Sequence, residues 1–143
     1  MIDSVLLVDD ETLFHLVFED TCSLLDISLS VECVKTSDEA IDLFEKVYTK
    51  DGEKPDCVFV DFCLTGSGHD GIDLVRKINY DYGNGVVIGI ISDSIEPEDQ
   101  YKAMESGAQF WLIKNDHIEH HLQNFIEDFE GYKKGALPFK VYT

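Results

Sequence analysis

Val5-Leu6-Leu7-Val8-Asp9-Asp10-Glu11 is the stretch that decides the fold. Four consecutive apolar residues without alternation fit a strand covered on both faces, as in a parallel sheet. The run then stops abruptly at three acids, so the carboxyl end of this strand is polar. The same design returns three times. Cys57-Val58-Phe59-Val60 ends at Asp61, Val86 to Ile91 ends at Ser92, and Phe110-Trp111-Leu112-Ile113 ends at Lys114. Residues 29–34 differ: Leu29, Val31 and Cys33 alternate with Ser30, Glu32 and Val34. That pattern suits an edge strand with one wetter face.

Helical spacing fills the gaps. Leu13, Phe14, Val17, Phe18, Leu24 and Leu25 predict a helix over 12–25. Thr36 and Glu39 fit a capping box ahead of an inner stripe of Ala40, Leu43, Phe44 and Val47. Polar turn residues run from Lys50 to Pro55. A short helix carries Ile72, Val75 and Ile78. Pro97 suits the first position of the next helix and Gly107 its C-terminal cap. Ile118, Leu122, Phe125, Ile126 and Phe129 mark the last. Five alternating strand–helix units predict an α/β fold, a doubly wound parallel sheet with helices on both faces.

The length of 143 residues suits one domain. Acidic residues number 29 against 11 basic, giving a formal charge of −18, yet 44% of the chain is apolar. That apolar share supports a core and excludes a disordered acidic tail. Such a surface, with Arg76 as its one arginine, repels nucleic acid phosphates and anionic lipid. No apolar run is long enough to span a bilayer, and no basic leader precedes the first strand. A cytoplasmic protein is expected. The four cysteines (Cys22, Cys33, Cys57, Cys63) lack CxxC spacing and read as reduced core or near-core residues. Residues 131–143 hold Lys133, Lys134 and Lys140 and no acid. They read as a basic C-terminal tail after a domain of residues 1–130, to dock on an acidic partner, fold back or fray. No effector domain is expected beyond it.

In an open α/β sheet, ligands bind outside the carboxyl ends of the strands. If the first and third strands are neighbours, Asp9, Asp10 and Asp61 meet there. At 4 Å each carboxylate pair repels by about 4 kcal/mol at an effective dielectric of 20. Either a pKa rises or a divalent cation sits among them, and an all-oxygen site suits Mg²⁺. Lys114 adds positive charge. A carboxylate beside Mg²⁺ and a lysine can attack a phosphoryl group, with Ser92 hydrogen-bonding a phosphoryl oxygen. The product is an aspartyl phosphate. Two other motifs carry less. The stretch Thr65 to Gly71 is glycine-rich but lacks the Gly-Lys-Ser/Thr ending of a P-loop. His117, His120 and His121 have metal-binding spacing, but a wet helix face is the reading preferred, because Ile118 and Leu122 define the buried stripe.

Together, Leu6 to Glu11, Phe59-Val60-Asp61, Ser92, Gly107-Ala108 and Lys114 resemble the receiver domain of two-component response regulators. The resemblance covers residues 1 to about 130 and implies a flavodoxin-like (βα)5 sheet of strand order 2-1-3-4-5. It implies that Asp61 is the phosphoacceptor and that Asp9, Asp10, Asp61 and the Cys63 backbone carbonyl hold Mg²⁺. Ser92 and Lys114 would steady the phosphoryl group, and Ser92 and Trp111 would form the switch that repacks the fourth helix, fifth strand and fifth helix. The implied donor is a histidine kinase or phosphotransfer protein. Output would pass through another protein, onward phosphotransfer in a phosphorelay, or a homodimer. Enzymatic activity would be limited to self-phosphorylation and autodephosphorylation at Asp61. A phosphorylation-independent binding module is the alternative.

Four features depart from the family pattern. The run from Asp61 to Gly71 looks two residues longer than usual. Asp93 stands where a small residue is preferred, so it and Cys63 are positioned to modulate access. Asn115 replaces a proline usually preceded by a cis bond, so a trans peptide is expected. Trp111 is bulkier than the usual Tyr or Phe, and its inward rotamer is expected to be harder to bury.

Overall fold

The computed structural model describes residues 1–48, 53–64, 70–83 and 85–143. Its elements alternate: β1 (Ser4–Val8), α1 (Thr12–Leu24), β2 (Ser30–Val34), α2 (Ser37–Leu43), β3 (Cys57–Asp61), α3 (Asp70–Tyr82), β4 (Val87–Ser92), α4 (Pro97–Ser106), β5 (Phe110–Ile113), α5 (Ile118–Lys133) and β6 (Lys140–Tyr142). The sheet is parallel throughout, in the order β2-β1-β3-β4-β5-β6. The 2-1-3-4-5 order implied by the sequence is present, and a sixth strand is added beyond β5. The polar turn at 50–55 and the glycine-rich stretch at 65–71 fall partly outside the described residues.

Period-two alternation divides the core. Leu6, Val8, Val58, Val60, Ile88, Ile90, Trp111 and Ile113 face α2, α3 and α4 residues such as Ala40, Val75, Ile78 and Ala103. Val5, Leu7, Cys57, Phe59, Val87, Ile91, Phe110 and Leu112 face α1 and α5 through Phe18, Cys22, Leu122, Phe125 and Phe129. Phe59 is the hub of the second layer, with ring centroids 5.2–5.3 Å from Phe18, Phe110 and Phe125.

Capping follows the sequence closely in two places. Thr36 accepts the Glu39 N–H at 3.0 Å, and Glu39 reaches back past the cap to the Lys35 N–H at 3.3 Å, a variant of the capping box shifted by one residue. Gly107 ends α4 at φ 110°, in the left-handed region where a side chain is strained.

Three helix faces differ from expectation. In α1 the buried positions are His15, Phe18, Thr21 and Cys22, whereas Leu13, Leu16, Val17 and Leu24 are exposed. Phe14, Phe18 and Leu25 of the predicted apolar set do meet the core, and Phe18 against Phe59 with His15 against the Asp9 carbonyl sets the rotation that leaves the others outside. After α2 the chain makes a π-helical turn, Phe44–Tyr48. Its wider spacing brings Tyr48, not Val47, under Phe44, at 5.1 Å between rings. In α5 His121 is buried, so the three histidines do not form one wet face.

The chain after residue 130 also takes shape. Helix α5 continues to Lys133, a turn passes through Gly135, and Lys140–Tyr142 pair with Phe110, Trp111 and Leu112. Lys140 lies 3.0 Å from Asp128, so one basic residue of this segment folds back onto the domain. None of the four cysteines forms a disulfide. Cys22 and Cys57 are core residues and Cys33 is half-buried, but Cys63 is exposed rather than near the core. Among the described residues no helix is long and apolar enough to cross a membrane.

Candidate functional site

Register carries the acids together. Val8 pairs with Val60 across β1 and β3, so the residues that follow, Asp9 and Asp61, emerge side by side at the carboxyl edge. Carboxylate oxygens of Asp9, Asp10, Glu11 and Asp61 all lie within 4.8 Å of one another. Asp9 is fully buried and Asp61 nearly so, while Asp10 and Glu11 are exposed at the mouth. This all-oxygen set, part sunk and part open to water, fits a hard divalent cation that keeps some of its waters.

Lys114 reaches in from the end of β5. Its Nζ donates to Asp9 Oδ2 at 2.6 Å and lies 3.6 Å from Asp61 Oδ1 and 4.0 Å from Glu11. The ammonium also sits 4.3 Å above the centre of the Phe14 ring, a cation–π contact that shields it from water. Burial opposes its charge, but the hydrogen bond to Asp9 and the charges of Asp61, Asp9 and Glu11 outweigh that cost, and the pKa of Lys114 is raised. One ammonium against four carboxylates leaves the cluster strongly negative.

Asp61 feels that imbalance. Burial pushes its carboxyl up from the ordinary 3.8 to about 6; Lys114 pulls it down, Asp9 raises it, the Cys63 N–H lowers it and Asp10 raises it. The Cys63 N–H is 3.4 Å from Asp61 Oδ1. Asp9 is braced separately: Oδ1 accepts the Glu11 N–H at 2.9 Å, and its main-chain carbonyl is bonded to His15 Nε2.

Ser92 ends β4 and is buried, with its carbonyl accepting the Lys114 N–H at 2.8 Å. Its hydroxyl accepts the Ser94 N–H at 3.0 Å rather than meeting the carboxylates. Trp111 is fully buried, contrary to the expectation that an indole is hard to accommodate there. Its Nε1 donates to the Ser94 carbonyl at 3.1 Å, and its ring packs on Phe62 with centroids 5.2 Å apart. Phe62, next to Asp61, supplies the wall against which the indole packs. Asp93 is exposed. No cis peptide occurs among the described residues. Instead of a proline, Asn115 organises the start of α5, its Oδ1 accepting the His117 N–H at 2.9 Å and bonding His121 Nε2 at 3.0 Å. Burial, with His120 and His117 nearby, holds the His121 imidazole below its ordinary pKa.

Four contributors escaped the sequence reading of the site. Glu11 joins the cluster, and the third acid of Asp9-Asp10-Glu11 was its signal. Phe14 and His15 reach the site from α1: apolar spacing marks Phe14 only as a core position and gives no signal for His15. Gly71 is the fourth: a Cβ there would stand 2.2 Å from the Asp61 carbonyl oxygen and 2.8 Å from the Phe62 backbone. The start of α3 can pass the end of β3 only as glycine.

The profile of the response regulator receiver domain matches residues 5–125. No curated protein matches the chain. Solved structures share the fold. A phosphorylated cyanobacterial phytochrome response regulator, RcpA, superposes with a TM-score of 0.76 at 16% identity, over 92% of this chain and 96% of that one. The Mn²⁺-bound response regulator Rcp1 gives 0.72 at 16% identity, over 90% and 94%. A CheY-like receiver domain protein from Methanospirillum hungatei gives 0.71 at 18% identity, over 94% and 99%.

Proposed function

We propose that this chain, which belongs to the response regulator receiver domain family, accepts a phosphoryl group on Asp61 from a histidine kinase or a phosphohistidine carrier. The observation that carries the reading is the Lys114 ammonium held between buried Asp9 and Asp61, at 2.6 and 3.6 Å, in an otherwise all-carboxylate pocket. An Asp61 carboxylate oxygen attacks phosphorus, the N–P bond to the donor imidazole breaks, and the imidazole leaves and takes up a proton. Lys114 and Ser92 bind the oxygens of the incoming group, Ser92 by turning its hydroxyl away from Ser94. Asp9, Asp10, Asp61 and the Cys63 carbonyl would hold Mg²⁺. The ion would supply positive charge that keeps Asp61 ionised and offsets the added charge of about −1.5 to −2. Cys63 and Asp93, both exposed, would modulate access to the pocket.

The donor's approach has a ready surface. Leu13 and Leu16, 73% and 61% exposed, with Val17 and Leu24, form an apolar stripe on α1 that begins beside Glu11 and Phe14. A carrier helix lying across that stripe can deliver its histidine to the mouth between them. Output would run through Ser92 and, once Trp111 is free to move, to the α4, β5 and α5 face, read by another protein or passed on by phosphotransfer.

The test is incubation with Mg²⁺ and acetyl phosphate, followed by intact-mass measurement. A single phosphoryl adduct, absent in Asp61→Asn and without Mg²⁺, is expected; no adduct, or one that survives the substitution, refutes the reading. A second reading, a binding module independent of phosphorylation, is favoured by one observation: an exposed acid, Asp93, directly follows Ser92 and adds negative charge beside the strand end.

A further inference from the structure

We propose that the C-terminal strand β6 is a clamp on Trp111: Val141, seated beside the indole, with Phe139 holds it inward whatever the state of Asp61, until β6 lifts. This rests on the reading of Trp111 as a switch and adds what controls it.

The register supplies the first argument. Trp111 has Ile90 on one side and Val141 on the other. Parallel neighbours lie about 4.8 Å apart with paired side chains on the same face. An indole swinging outward over the sheet edge must therefore cross Val141. Alternation confirms the placement: Phe139 and Val141 pack on the cluster that contains Trp111, while Tyr142 belongs to the opposite layer. Without β6, β5 would be the edge strand and that side of Trp111 would face water.

The chain also secures this strand from the other face. Tyr142 is buried edge-on to Phe125 at 5.8 Å. Its hydroxyl donates to Asp128 Oδ2 at 2.7 Å and shares a 2.8 Å hydrogen bond with the Tyr132 hydroxyl. The return loop lies close against α5 because Gly131 has no side chain; a Cβ there would meet Leu137 at 2.7 Å. Yet the ladder is only three residue pairs long. Such an element opens locally at lower cost than the central strands, so a partner that captures residues 136–143 would release the switch.

Trp111 is the one tryptophan, so its fluorescence reports on this position alone. Acrylamide quenching would be measured on the full chain with and without Mg²⁺ and beryllofluoride, with ¹⁹F NMR reporting bound fluoride independently. The native chain is expected to quench weakly and equally in both conditions. Tyr142→Ala, which removes the anchor, is expected to quench severalfold more strongly, and beryllofluoride to reverse this. Val141→Ala keeps the ladder and should shift quenching in the same direction by less, with Val141→Ile restoring it, so the result does not hinge on how well Tyr142→Ala folds. A merely structural role for β6 would lower stability without altering native-state quenching. Equal quenching in Val141→Ala and the native chain, or a large beryllofluoride effect in the native chain, overturns the clamp. Failure to bind beryllofluoride in any variant counts against phosphorylation at Asp61 but leaves the quenching comparison to decide the clamp.

Discussion

Replacing Asp61 by asparagine is expected to stabilise the metal-free protein at neutral pH. The Asp61 carboxylate is nearly buried in a cluster with three other acids, and burial pushes its pKa up to about 6 from 3.8. A group whose folded pKa is raised contributes stability that is full below its unfolded pKa and is lost as pH rises through the folded one. Ionised Asp61 therefore costs stability at pH 7. At about 1.4 kcal/mol per pKa unit, the upper bound is roughly 3 kcal/mol, and water at the mouth reduces it to about 1–2 kcal/mol. The assay is urea unfolding of native and Asp61→Asn protein in EDTA at several pH values. The asparagine variant's advantage should be small at about pH 4, reach roughly half its full size by about pH 5 and level off above about pH 6.5. Saturating Mg²⁺ should shrink it by stabilising the native chain alone. An advantage independent of pH, or a net loss at pH 7.5, would refute the electrostatic account of the pocket.

Lys114→Met removes the one ammonium facing Asp9 and Asp61. It should cost about 2–4 kcal/mol at pH 7 and less at pH 5, where the carboxylates protonate more readily, as read by urea unfolding at the two pH values. Gly71→Ala forces a methyl group onto the Asp61 and Phe62 backbone. A loss of at least about 1–3 kcal/mol and a slowed reaction with acetyl phosphate are expected, measured by unfolding and by time-resolved mass spectrometry. Native thiol titration should show Cys63 reacting first and Cys33, pushed up to about 12 by burial, a hydrogen bond to Glu19 and the charges of Glu19, Cys22 and Asp9, reacting slowly. Cys22 and Cys57 should stay silent until unfolding; labelling of either in the folded protein would contradict the core packing.

The sheet was legible because its four inner strands are short apolar runs that each end in a reactive side chain, and runs this short suit a strand buried on both faces better than a helix. The same termini made Asp9, Asp61 and Lys114 legible as a site, since parallel register places strand ends together. Rotation of α1 was not legible. Its sequence offers two apolar stripes, and His15 on the Asp9 carbonyl, a polar contact, selects the one that is buried. Nor was β6, a three-residue strand whose Lys-Val-Tyr pattern is too short for a periodic signal and whose place depends on Tyr142 finding Asp128 and Tyr132 in α5. The burial of His121 escaped for a similar reason: its polar ring occupies the inner stripe because Asn115, six residues earlier, supplies a partner.

The most direct test of the central claim is to locate the phosphoryl bond. Protein treated with acetyl phosphate and Mg²⁺ would be trapped with borohydride, which reduces an aspartyl phosphate to homoserine, and then mapped by peptide mass spectrometry. Homoserine at position 61 alone, and only when Mg²⁺ is present, is the predicted result. Homoserine at position 9 or 10, or none at all from protein that binds Mg²⁺, would contradict it.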